Sequence, residues 1–146
     1  MQDLGYAPMD KIHAELDALL LRARSPVGRD SVVQLAEIDS HLRSHFTLED
    51  RWMLETGFPA SGCHIDEHAA VLNSSAQVLE LARRGNVVAV PAFLAELERW
   101  FPGHATHLDS ALAAWMCRRT YGGTPVVLHR TRASSPSTSI DPELTR

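Results

Sequence analysis

Apolar residues recur at helical spacing through most of this chain, in four stretches divided by glycine and proline. That pattern restricts the fold more than any other feature. Residues 9–24 carry Ile12, Leu16, Leu19 and Leu20, near the i, i+4, i+7, i+8 stripe of an amphipathic helix. Ser25, Pro26 and Gly28 break it. A second stretch begins at Asp30 or Ser31, either of which caps a helix N-terminus. It runs through Val33, Leu35, Ile38, Leu42, Phe46 and Met53 and stops near Gly57-Phe58-Pro59. At 3.6 residues per turn it is the longest helix, about seven turns. The third starts after Ser61-Gly62 and continues through Ile65, Val71, Val78 and Leu81. Arg83 and Arg84 suit the negative end of its dipole, and Gly85 terminates it. The fourth begins around Pro91 and carries Phe93, Leu94, Leu97, Trp100, Leu108, Leu112 and Met116. Pro102 interrupts it, removing one backbone hydrogen bond, and predicts a kink.

No internal repeat or strand alternation competes with this pattern. Four amphipathic helices with short connections predict an all-α fold, an up-down-up-down four-helix bundle over residues 1–120. Beyond Tyr121-Gly122-Gly123 the composition changes: residues 133–142 are small, polar and proline-bearing. Residues 121–146 therefore read as a flexible C-terminal tail, in which Val126-Val127-Leu128 is a short apolar patch. A length of 146 residues suits one domain, and 45% hydrophobic residues suffice for a core. With 14 Lys+Arg against 18 Asp+Glu, the net charge of −4 argues against a nucleic-acid surface. The longest apolar run, residues 87–95, contains Pro91 and falls well short of the roughly 20 residues of a membrane span. No basic-then-apolar leader is visible, so the expected location is the cytoplasm. Cys63 and Cys117, too few for a disulfide scaffold, are expected there as reduced thiols.

Eight histidines stand out against this composition. His13 falls on the first helix, and His41 and His45 on the second, with Glu49 one further turn on. His64 and His68 fall on the third, His104 and His107 on the fourth with Asp109 after them, and His129 in the tail. Residues four apart on a helix point within about 40° of each other, so His45/Glu49 and His64/His68 can each offer two ligands to one point. Bundles build metal sites from such inward side chains on facing helices. A lone helical histidine or a single His-x-x-x-His pair is ordinarily incidental. Ligand-type residues on all four helices, two of them at matched spacing, are not.

Four motifs occur in order: Asp10-Lys11-Ile12-His13; His45-Phe46-Thr47-Leu48-Glu49; His64-Ile65-Asp66-Glu67-His68; and Trp100-Phe101-Pro102-Gly103-His104 followed by Asp109. Over residues 9–116 the chain resembles the hemerythrin family, closest to single-domain bacterial hemerythrins. The resemblance implies a non-haem di-iron centre. His64, His68 and His104 would bind one iron and His13 and His45 the other. Glu49 and Asp109 would bridge the two ions together with an oxo or hydroxo group. It further implies reversible dioxygen binding at the position left open on the two-histidine iron, with nitric oxide as a second candidate ligand. A protein partner is not assigned.

The resemblance gives the oxygen pocket an apolar wall of Leu16, Phe46 and Trp100. Two residues after His104 the family usually has a bulky apolar residue over the open iron. Here that residue is Thr106, whose hydroxyl is expected to speed autoxidation. The His104–Asp109 spacing places the two side chains about 140° apart on a regular helix, too far for one ion. A wide turn would reunite them, so residues 101–110 are predicted to be irregular. His41 and His107 are read as non-ligands. Acidic residues are expected to hold the outer nitrogens of the ligand imidazoles. Five histidines against two carboxylates favour oxygen binding, as carrier, store or sensor, over enzymatic oxidation. A di-iron oxidase or peroxidase, or an iron-handling protein, is the alternative.

Overall fold

The computed structural model describes residues 3–24 and 30–123. Four long helical segments run α1 (Ala7–Ala23), α2 (Ser31–Thr56), α3 (Ser61–Arg83) and α4 (Val90–His104). A π-helical turn, Ala105–Asp109, carries the fourth segment on into α5 (Ser110–Tyr121). Helix α2 packs on both α1 and α3, α3 packs on α4, and α4 closes back on α1. The four-helix bundle read from the apolar periodicity is the fold, and no described residue is in a strand. No helix among the described residues is long and apolar enough to cross a membrane. The expected tail and its apolar patch lie outside the described residues from 124 onward.

Local chemistry sets the helix ends. The Asp30 carboxylate accepts the Val32 N–H at 2.8 Å, so Asp30 is the cap and Ser31 the first helical residue. Helix α2 ends at Gly57, where φ is +66°, a conformation costly for a residue with a Cβ. The chain there turns back so that the Phe58 N–H donates to the Met53 carbonyl at 2.9 Å and buries the Phe58 ring. Helix α1 starts two residues earlier than its apolar stripe suggests, because Pro8 fits the first turn and the Tyr6 carbonyl accepts from Met9 and Asp10.

The apolar core is layered along the bundle. One end is built of Tyr6, Met9, Met53, Phe58, Leu112 and Met116. The middle is built of Leu16, Leu20, Leu42, Phe46, Leu97 and Phe101. The far end joins Leu35, Leu79, Ala82 and Val90. Each leucine, methionine, phenylalanine or valine among them stabilises the fold by about 1.5–3 kcal/mol when fully buried. On α1, His13 lies between Met9 and Leu16; on the fourth segment, His104 and Asp109 lie between Phe101 and Leu112. A polar layer is thus inserted between two apolar ones.

Candidate metal centre

Every helix of the bundle contributes to that layer. Helix α1 supplies His13, α2 supplies His45 and Glu49, α3 supplies His64 and His68, α4 supplies His104, and the π turn supplies Asp109. All seven side chains are buried, none more than 4% exposed. Their donor atoms fall into two groups, Glu49/His64/His68/His104/Asp109 and His13/His45/Glu49, each within 4.8 Å. The seven residues singled out in the sequence are therefore brought together.

The two carboxylates lie between the groups. Glu49 Oε1 is 2.9 Å from His45 Nε2 and 3.6 Å from His13 Nε2. Its Oε2 is 3.3 Å from His68 Nε2 and 3.6 Å from His64 Nε2. Asp109 Oδ2 is 3.1 Å from His13 Nε2, while Oδ1 is 2.9 Å from His64 Nε2 and 3.2 Å from His104 Nε2. Each carboxylate presents one oxygen to each set of histidines.

Asp109 reaches this position because the helix widens. The Ser110 N–H donates to the Ala105 carbonyl, five residues back. The wider turn returns Asp109 to the face of His104, which a regular helix would miss by about 140°. The irregularity expected between residues 101 and 110 is present, with Pro102 one turn ahead of it.

The donor chemistry fits a cation. The His68 Nδ1–H donates to Asp50 Oδ1 at 2.7 Å, and the His104 Nδ1–H donates to Glu67 Oε2 at 2.8 Å. A carboxylate only accepts, so each neutral imidazole keeps its lone pair on Nε2. Yet these two Nε2 atoms face each other at 3.1 Å, deep in the protein. Moreover, both nitrogens of His13 and of His64, Oε2 of Glu49 and both oxygens of Asp109 are buried without a hydrogen bond of good geometry. They are close neighbours that do not point at one another. Ligands at ~2.1 Å on adjacent corners of an octahedral ion sit about 3.0 Å apart, close to the spacings found here.

Without a cation, protons hold this charge. Burial disfavours the charged imidazole, but the Asp109 and Glu49 carboxylates outweigh it and raise both His13 and His64 from 6.5 to about 9. Burial likewise opposes ionisation of Glu49 and Asp109, yet the surrounding imidazoles hold both well below the usual carboxylate range.

The apolar wall divides by side. Phe46 stacks on His68 with centroids 4.0 Å apart, and Trp100 lies 4.3 Å from His104, so both stand against the three-histidine set. Leu16 is buried with Phe46 and Phe101. Thr106 does not face the cluster: it is exposed, on the outer side of the π turn. Two residues beyond His104 is nearly half a turn, so the side chain points away. Phe101 stands there instead, edge-on to His13 at 5.1 Å and to His45 at 5.9 Å. Its place three residues before His104, on the same helix face, was a readable signal.

His41 is half-buried beside His45, and burial together with His45 lowers its pKa. His107 and Cys63 are exposed; Cys117 is buried, its thiol donating to the Gly5 carbonyl at 3.4 Å. His129 lies outside the described residues. Asp50 and Glu67 were not identifiable in advance, because each holds a histidine on a different helix.

Comparison with curated proteins returned no match, and comparison with solved structures returned none. The model of the hemerythrin HHE cation-binding domain matches residues 4–116. The matched span includes all seven clustered side chains, and the chain belongs to the hemerythrin HHE cation-binding family.

Proposed function

We propose that the cluster holds two iron ions and that the protein binds dioxygen reversibly, as a carrier, store or sensor, in place of turning over a substrate. The observation that supports this reading is the arrangement of the two carboxylates: Glu49 has one oxygen toward His13 and His45 and the other toward His64 and His68, and Asp109 has one toward His13 and the other toward His64 and His104. In it, His64, His68 and His104 hold one ion, His13 and His45 the other, and the two carboxylates serve both. The ion pair supplies the two electrons on which dioxygen binding draws.

The protein's own contribution is exclusion and orientation. Phe101 and Leu16, both buried, keep bulk water from the two-histidine side, where one imidazole fewer leaves room for a diatomic ligand. A groove of about 460 Å³ between α1 and the fourth segment reaches Phe101 and Ala105 and brings small molecules to that side. Thr106 lines this groove, so its hydroxyl acts on the approach and not at the metal. Among the described residues, the buried polar side chains beyond the cluster are Asp39 and Ser75, which bond each other at 2.7 Å. An apolar wall suits retention of a ligand better than proton-coupled turnover.

The test is optical and analytical. Aerobically purified protein is expected to contain two irons per chain and to show near-ultraviolet charge-transfer bands that vanish on reduction and return with oxygen. Zinc, or no metal, overturns the reading. Peroxide consumption that depends on an added reducing substrate would favour the oxidase alternative.

A further inference from the structure

The two halves of the centre are built differently around their outer nitrogens. On the three-histidine side, Asp50 of α2 accepts from His68 of α3, and Glu67 of α3 accepts from His104 of α4. These bonds fix the tautomer, hold the ring planes and make Nε2 a stronger donor. Phe46 lies flat on His68, 4° from parallel, and Trp100 covers His104. On the two-histidine side, Nδ1 of His13 and Nδ1 of His45 are both buried with no hydrogen-bond partner. The rings there meet the edge of Phe101 and each other, and His45 also meets Phe46 and His41, but neither ring is backed by a carboxylate. These two carboxylate bonds link α2, α3 and α4; α1, which carries His13, is tied to α4 by a carboxylate only away from the centre, where Arg24 donates to Glu98.

Resting on the reading of the cluster as a two-ion centre, we propose that its halves load and exchange metal unequally. The three-histidine half, organised by Asp50 and Glu67 before any ion arrives, fills first and retains its ion. The two-histidine half fills second, loses its ion first, and accepts a different divalent ion, giving a mixed-metal centre. Two reasons act in one direction. The first half has three imidazoles against two. Two of its three are backed by carboxylates, whereas neither on the other side is. Asp50 and Glu67 are positioning residues: they act on the ion only through His68 and His104.

The experiment titrates the full-length, metal-free chain with Co²⁺ under anaerobic conditions, following its visible absorption, and then chases the loaded protein with Zn²⁺. Two resolved steps are expected, with one Co²⁺ per chain exchanging quickly and one slowly. Asp50→Asn and Glu67→Gln keep the side-chain shape but remove the charge. Each is expected to weaken the first step about 10–100-fold and to shift the absorption of the first Co²⁺, with the second step nearly unchanged. Both residues are partly exposed, so helicity measured by circular dichroism should survive the changes. His13→Ala is expected to abolish the second step and spare the first.

Two equal sites, two ions that exchange at one rate, or variants that weaken both steps alike would overturn the proposal while leaving the two-ion centre standing. Uptake of fewer than two ions by the unaltered chain would overturn the centre itself and the inequality with it. The zinc chase on the unaltered chain decides the matter even where a variant folds poorly.

Discussion

The polar layer at the centre and the apolar layers on either side obey opposite rules. Met9, Leu16, Leu42 and Leu112 are fully buried and complete one another by contact alone. His13, His64, Glu49 and Asp109 are buried as deeply, yet are left with unmet hydrogen-bonding capacity. Burying a polar group without a partner costs about 1–3 kcal/mol on protein scales. The apolar layers therefore supply most of the stability that holds the central layer in place, and the central layer stabilises the fold when its donors meet a metal cation or, without one, protons. A site of this kind is maintained by its neighbours until it is loaded.

The largest test of this contrast is metal removal. A ligand present at a thousand times its dissociation constant stabilises the native state by about 4 kcal/mol. For a chain of this size that corresponds to a melting temperature roughly 10–20 °C higher with metal than without. Thermal melts of the loaded protein with and without a strong chelator measure it. An unchanged midpoint would mean that the central layer is satisfied by the protein alone.

Leu112→Ala addresses the other side. Leu112 is fully buried among Met9, Met53 and Met116, so truncation is expected to cost about 2–5 kcal/mol. Because that layer carries no unmet donor, urea denaturation should give the same cost for the loaded and the metal-free protein. A cost that depended strongly on metal would show that the two layers are coupled.

pH separates the layers next. In the metal-free protein His13 and His64 are raised to about 9 from an unfolded value of 6.5. Their contribution is fully present below pH 6.5 and is lost as pH rises through about 9. Metal-free stability should fall between pH 6.5 and 8.5 by something on the order of 2 kcal/mol for each of the two imidazoles. Loaded protein keeps both imidazoles deprotonated, whereas the unfolded chain holds each one half protonated at pH 6.5 and free by pH 8.5, so loaded stability should rise slightly, by just under about 1 kcal/mol, over the same interval. Metal affinity should rise with pH there, since loading releases those two protons. Denaturation curves of both forms at several pH values test the divergence.

How much of this was legible in advance follows the same division. The apolar layers repeat every three or four residues, and a repeating signal survives small errors, so Leu16, Leu42 and Leu97 announced the bundle. The ligand residues were legible for a related reason: His45/Glu49 and His64/His68 share a helix face. Asp109 was legible from the motif order, but its spacing of five residues from His104 was at odds with a regular helix, and a π turn resolves that conflict. Asp50 and Glu67 were not legible. Each acts on a histidine of another helix, and helix pairing in a bundle sets such contacts without leaving a local pattern. Thr106 shows the opposite error. A position matched by motif order was given a role that helical geometry denies, whereas Phe101 sat at the spacing that geometry favours.

The smallest expected effect sharpens the comparison most. Asp39 and Ser75 are polar and buried, yet they lie outside the cluster and need no ion. The Ser75 hydroxyl donates to Asp39 Oδ1 at 2.7 Å, and Arg43 donates to both carboxylate oxygens at 2.8 and 3.2 Å. Ser75→Ala removes one of three hydrogen bonds to that carboxylate and leaves Arg43 in place, so a loss of about 1 kcal/mol is expected. The loss should be the same with and without metal, measured by urea denaturation of both forms. If it grew when metal was removed, the Asp39–Ser75 link between α2 and α3 would belong energetically to the centre. If it stayed constant, the polar layer would be set apart by its unmet partners and not by its polarity.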